Sequence, residues 1–294
     1  MAVNLSPSTQ LERITAVEFD NVIESWRKTP REDIDEMKTA CIANDLPRFK
    51  AAFDKWTSYG FNVHELADVV REAVCCNNVG IVSTISSNGY QGPDAFAKEA
   101  VEHKAKDVLS YFLDTKWDIN ATAQTYPAVL SFAVQDEDMT FWLLDHGADP
   151  NQQCLIDLTP MSMAMRDAPI SIIKLLLDRG ADVHRGQLLH HAVHRKSDEI
   201  AVLDLLLDKG ASVNRKMYDD HPFSWSMYFF MGLGTALHDA AEEGKVNVVR
   251  YLLDKGADPT IKDGRDRTPL ECVEASEHPE IVAILKSAIE RHVA

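Results

Sequence analysis

The sequence predicts an all-α solenoid of about eight helix-pair units with a capping helix before the first. Three observations predict it. A short phrase built on two or three apolar residues, Asp, a polar residue and Gly-Ala recurs four times, its glycines at 147, 180, 210 and 256. A second phrase opening on Thr stands 21 residues before two of those glycines, at Thr159 and Thr235. Upstream, where both phrases fade, apolar residues still recur at helical spacing. Repeats of this kind bury their apolar faces only against neighbours, so the core grows by stacking along the chain.

In chain order, residues 10–28 read as the separate helix that covers the apolar side of the first unit. The first unit, 34–62, pairs Met37, Ala40 and Cys41 with Phe49, Ala52 and Phe53. The second, 67–92, pairs Val70, Ala73 and Val74 with Val82 and Ile85. The third, 94–125, pairs Ala97, Ala100 and Val101 with Val108, Tyr111 and Phe112. Five further units follow at 126–158, 159–186, 187–216, 235–267 and 268–290. Three segments result: 1–33 with the capping helix, 34–125 with divergent repeats, and 126–294 with recognisable ones.

The recurring phrases have a direct physical reading. Thr159 and Thr235 cap helices by offering a hydroxyl to unpaired backbone N–H groups. Pro160 and Pro269 suit a first helical position, where a missing N–H loses nothing. The small pair Ala240-Ala241 lets the next helix approach closely. Gly256 takes the left-handed conformation that ends a second helix.

Thr159-Pro160-Met161, Thr235-Ala236-Leu237-His238 with Ala240-Ala241, and Thr268-Pro269-Leu270 resemble the helix-opening motif of the ankyrin-repeat family. The 33-residue gap between Gly147 and Gly180 is one such repeat long. The resemblance is strong over 126–285 and weaker before it. It implies paired helices joined by β-turn fingers, with a partner-binding strip along the first helices and fingers. His190 falls at the motif's histidine, to which the family gives a structural part.

Two fingers depart from the pattern. Gly147 to Thr159 and Gly256 to Thr268 are each 12 residues, but Gly180 to Gln187 is 7 and Gly210 to Thr235 is 25. One finger is thus truncated, and the next carries an insertion at 217–234 with six aromatics and three methionines. Insertions between repeats map to one face, often the binding face, and aromatics and Met are enriched in interface cores. The bland alternative is that these side chains fold back into the groove beside the truncated finger. Both hold if Trp225 points inward and Tyr228 or Phe229 outward.

Composition narrows the function. The net charge of −16 opposes direct contact with nucleic acid or an anionic membrane and favours a neutral or basic partner. Five scattered cysteines give no disulfide framework, which fits the cytosol or nucleus. No secretory signal or spanning segment is legible near the start or elsewhere. No P-loop, GxSxG or HExxH occurs. His190 and His194 are four apart, but a third ligand is missing, so neither metal nor cofactor is expected.

The expected function is a non-catalytic scaffold or adaptor, monomeric, that binds a protein partner; a transcription co-regulator is one version. The expected contacts are Tyr218, Phe223, Trp225, Tyr228 and Phe229 of the insertion. From the first helices they are Phe132, Met163, Arg166, His191, His194, Arg195, Asp239, Glu242 and Glu243. The alternative is an atypical enzyme using an aromatic-lined pocket near 191–243, with those carboxylates and histidines as acid and base.

Overall fold

A computed structural model describes residues 31–60, 62–90, 92–273 and 278–293. The capping helix expected at 10–28 lies outside the described residues. Two compact units divide between Gly92 and Pro93.

The first unit holds α1 (Arg31–Ile42), α2 (Leu46–Ser58), α3 (Ala67–Cys75) and α4 (Val79–Ser87). Asp45 and Asn78 start α2 and α4 by accepting the N–H groups of Arg48 and Ile81. Between the helices Met37, Phe49, Phe53, Trp56, Leu66, Ile81 and Ile85 are fully buried. Phe53 stacks between Phe49 and Trp56, with ring centroids 5.6 and 6.3 Å apart. Such offset ring pairs add to the stabilisation from burial itself.

The second unit holds α5 (Pro93–Glu102), α6 (Lys106–Asp114), α7 (Leu130–Ala133), α8 (Glu137–Asp145), α9 (Pro160–Asp167) and α10 (Ile170–Asp178). It continues with α11 (Leu188–Val193), α12 (Glu199–Asp208), α13 (Pro222–Tyr228), α14 (Ala236–Glu242), α15 (Val246–Asp254), α16 (Pro269–Val273) and α17 (Pro279–Val293). The first helices α5, α7, α9, α11, α14 and α16 pack in one row, each on the next. The second helices lie behind them. Among the described residues there are helices and isolated β-bridges but no strands.

Local chemistry explains the repeat. Thr159 accepts the N–H of Ser162 while the Ser162 hydroxyl accepts that of Thr159, a reciprocal cap. Thr235 forms the same cap with His238. His238 Nδ1 accepts the N–H of Thr235, and its Nε2 donates to Arg267 O in the next repeat at 3.1 Å. Gly256 closes α15 at φ 88°, a conformation that costs a residue with a Cβ.

A ladder of asparagines, not anticipated from the sequence, ties finger to finger. Asn120 donates to Gly147 O and accepts from Asp149 N. Asn151 does the same with Gly180 and Asp182, and Asn214 with Gly256 and Asp258. The ladder changes at the truncated finger. There His184 takes the asparagine position, and Arg215 reaches back to the His184 carbonyl at 2.6 Å.

Candidate partner-binding site

The truncated finger turns through Gly186 and Gln187, at φ 77° and 55°. A Cβ at Gly186 would lie 2.1 Å from Ser162 Oγ, so only glycine fits this close passage. Shortening the finger brings Asp157, Gln187 and the insertion together. Asp157 is buried, and its carboxylate accepts from Gly186 N at 2.9 Å, Gln153 Nε2 at 2.6 Å and Gln187 Nε2. Its own N–H donates to Ser224 Oγ at 3.0 Å. Gln187 Oε1 in turn accepts Tyr218 N at 3.1 Å. Every partner in this latch comes from a finger or from the insertion.

The insertion is an ordered flap. The backbone N–H of Met217 donates to Gly234 O at 2.8 Å, closing its base beside the Lys216–Thr235 bridge. α13 starts on Pro222, capped by His221 Nδ1, which accepts Ser224 N. Ser224 and Tyr228 are four apart, so they share one face of α13. Ser224 is fully buried in the latch, and Tyr228 stacks on Tyr218 at 5.6 Å. Burial pushes the Tyr218 hydroxyl up to about 12.

The opposite side of the flap is apolar and exposed. Trp225, Phe229, Phe230 and Met231 expose 49 to 60% of their surface, and Phe223 and Met227 about 40%. Trp225 stacks on Phe229 at 5.7 Å, and Phe230 meets Phe229 edge-on at 6.2 Å. Arg265 donates to the Phe230 carbonyl, pinning the far end to the last finger. The expectation that Trp225 turns inward is corrected: the helical register puts Ser224 and Tyr228 inward and Trp225 out. Groove filling and outward display both occur, through different residues.

The first-helix strip divides three ways. Phe132 and Met163 are half-buried, and Arg166, His194, Glu242 and Glu243 are exposed. His190 Nδ1 donates to Asp239 at 2.6 Å, and His194 pairs with Glu243, so a histidine of α11 and the one that ends it clasp two carboxylates across the repeat boundary. His190 therefore departs from the motif: with Gln187 rather than Thr at its helix cap, its Nδ1 turns to Asp239. Burial pushes the Asp239 carboxyl up, but the charge and hydrogen bond of His190, with His194 and His238, bring it below its usual range. His191 lies between them with Nε2 shielded and without a hydrogen-bond partner among the described residues. Burial, with His190, His194 and Arg166 nearby, depresses its pKa to about 4.

Arg195 was expected on the contact strip, and the structure corrects this. It is buried, and its guanidinium donates to Met165 O at 3.0 Å, Ala168 O at 2.9 Å and Ala164 O at 3.3 Å, capping α9. Lys245 does the same for α11, donating to Val193 O at 2.5 Å and Arg195 O at 2.7 Å. Cations suit the partial negative charge at a helix C-terminus. The recurrence of a basic residue just past a first helix is the signal that identifies both.

The carboxylates proposed for acid–base chemistry are already engaged. Glu243 also meets Lys245 at 3.4 Å, and Glu242 meets Arg267 at 3.5 Å. Glu243 is held beside the first helices by His194 and Lys245, while Glu242 and the insertion both reach the last finger, at Arg267 and Arg265. Among the described residues, no group of three or more His, Cys, Asp or Glu is arranged to hold a metal ion. No helix among them is long and apolar enough to cross a membrane.

A family model described as ankyrin repeats (3 copies) matches residues 130–217, 161–263 and 231–292, together more than half of the chain. No curated protein matches the sequence.

Proposed function

This chain belongs to the ankyrin-repeat family, whose repeats are generally protein–protein interaction modules, and from that premise we propose that it docks a protein partner on the aromatic flap. The carrying observation is the exposed set Phe223, Trp225, Met227, Phe229, Phe230 and Met231 on a segment held by hydrogen bonds to Asp157 and Gln187. Large exposed apolar patches mark contact sites. A flap already ordered loses less conformational entropy on binding than a floppy one. Phe132, Met163, Arg166, His194, Glu242 and the outer edge of Asp239 extend the contact along the first helices, and Tyr218 and Tyr228 brace it from behind.

The role is non-catalytic: the site offers apolar anchors, and its carboxylates are spent on histidine, lysine and arginine. The net charge of −16 favours a neutral or basic partner. A monomeric adaptor in the cytosol or nucleus fits this reading. One concrete form is a co-regulator that reaches DNA through a DNA-binding partner. The test is an affinity capture with the intact chain beside the double variant Trp225→Ala/Phe229→Ala, read by quantitative mass spectrometry. A protein enriched by the intact chain and lost from the variant, at equal helicity, supports the reading. Identical capture by both chains removes the flap from the site.

A further inference from the structure

A recess lies at the start of the row of first helices, among α5, the finger at 117–127 and α7. It is a cavity of about 190 Å³. Ala97, Trp117, Val129 and Phe132 line it, with Tyr126 and Ala123 on the exposed finger. Tyr126 and Phe132 face each other with centroids 6.4 Å apart. An apolar cavity of about 150 Å³ holds one benzene ring, so this recess has the size for one aromatic side chain.

Two charges of opposite sign stand at its wall, and both are used. Asp94 accepts the Trp117 Nε1–H at 2.8 Å. Lys98 lies 5.0 Å over the Phe132 ring and 3.6 Å from Glu102 on its own helix. A charged guest would have to displace one of these partnerships, whereas an uncharged ring meets apolar walls and the Lys98 cation, which favours π faces. The structural role of the recess is minor: the core of this unit closes beneath it at Ala97 and Val129, both buried.

We infer that this recess is an anchor socket for one uncharged aromatic side chain of a protein partner laid along the first helices. It is separate from the aromatic flap, and its test does not depend on that site. Trp117 supplies the reporter, because it lines the socket and its indole N–H is held by Asp94 at the wall. In the ¹⁵N-labelled intact chain each of the five tryptophans gives an indole resonance, and Trp117→Phe identifies the one that matters. Titration with N-acetyl-phenylalaninamide is expected to shift that resonance saturably at millimolar concentration. N-acetyl-lysinamide and N-acetyl-aspartamide are expected to leave it in place. Ala123→Leu, on the exposed rim, should fill the socket and abolish the response with helicity unchanged. Tyr126→Ala, which removes an exposed ring, should weaken it several-fold. Absence of a saturable shift, tighter binding of a charged probe, or a response that survives both substitutions overturns the inference. Tighter binding of free phenol than of the blocked residue overturns its assignment to a polypeptide.

Discussion

Ser224 and Asp157 lie 67 positions apart and meet where the Asp157 backbone N–H donates to the Ser224 hydroxyl at 3.0 Å. That bond joins the insertion to the finger of an earlier repeat, and both groups are buried. Ser224→Ala leaves a buried N–H unsatisfied, at a cost of about 1–3 kcal/mol. The loss should fall on the flap rather than on the stack. Amide hydrogen exchange over 218–231 is expected to speed up markedly, with the rest of the second unit unchanged. Uniform acceleration throughout that unit would show that the latch supports the repeats themselves.

Two glycines separate two kinds of constraint. At Gly256 a Cβ meets open space, so Gly256→Val is strained only by φ 88° and should cost more than about 1 kcal/mol. At Gly186 the added Cβ also meets Ser162 Oγ at 2.1 Å and Thr159 Oγ1 at 2.6 Å. Gly186→Ala should therefore lower the melting temperature more than Gly256→Ala does. By contrast Lys255→Ala removes an exposed pair with Asp204 and should leave the melting curve almost unchanged.

The repeats from 130 onward are legible because each motif residue answers a local need: a cap at Thr159, a left-handed turn at Gly256, a small contact at Ala240. The latch is not legible, because Asp157, Gln187 and Ser224 are far apart in sequence and meet only once the shortened finger is folded. The outward display of Trp225 depends on the register of a seven-residue helix, and Ser224, the small polar residue between Phe223 and Trp225, is its only local clue. Arg195 is hard to place from sequence because a charged residue beside a first helix reads as solvated surface, whereas here it satisfies carbonyls of the preceding repeat.

That capping role predicts a contrast between two arginines. Arg195→Met strands the carbonyls of Met165 and Ala168 at the end of α9, leaving Ala164 O only its bond from Ala168 N, and should destabilise by more than about 2 kcal/mol. Arg166→Ala, at an exposed position on the same helix, should stay within about 0.5 kcal/mol of neutral. Denaturant unfolding monitored by circular dichroism compares the two. Equal stability of both variants would contradict the cap.

Acid should loosen the middle of the stack. His191 and His238 both have folded pKa values below the usual 6.5, the first at about 4, each through burial. Groups of this kind take up protons more readily when unfolded, so their contribution to stability is complete above about pH 6.5 and is lost as pH falls toward the folded value. For His191 alone the loss by pH 5 is on the order of 2 kcal/mol. His191→Phe, which keeps a ring without a titrating nitrogen, should flatten that part of the pH–stability curve. An unchanged slope between pH 6.5 and 5 would assign the acid sensitivity elsewhere.

The flap makes the sharpest separation between stability and binding. Trp225 and Phe229 stack on each other on its exposed side, while Ser224 and Tyr228 hold it down from the other. Truncating either outer ring gives up a half-buried stack but leaves the latch bonds in place, so Trp225→Ala and Phe229→Ala should each cost about 1 kcal/mol at most and leave the flap seated. If they fill partner pockets, each should weaken the complex by more than about 2 kcal/mol, roughly thirtyfold in Kd. Tyr228→Ala should do the reverse, losing its stack on Tyr218 and loosening the flap before any partner arrives. Thermal melts and titration calorimetry against the captured partner read both quantities on the same samples. Lower melting temperatures for the outer variants with unchanged Kd would move these rings from the interface into the fold.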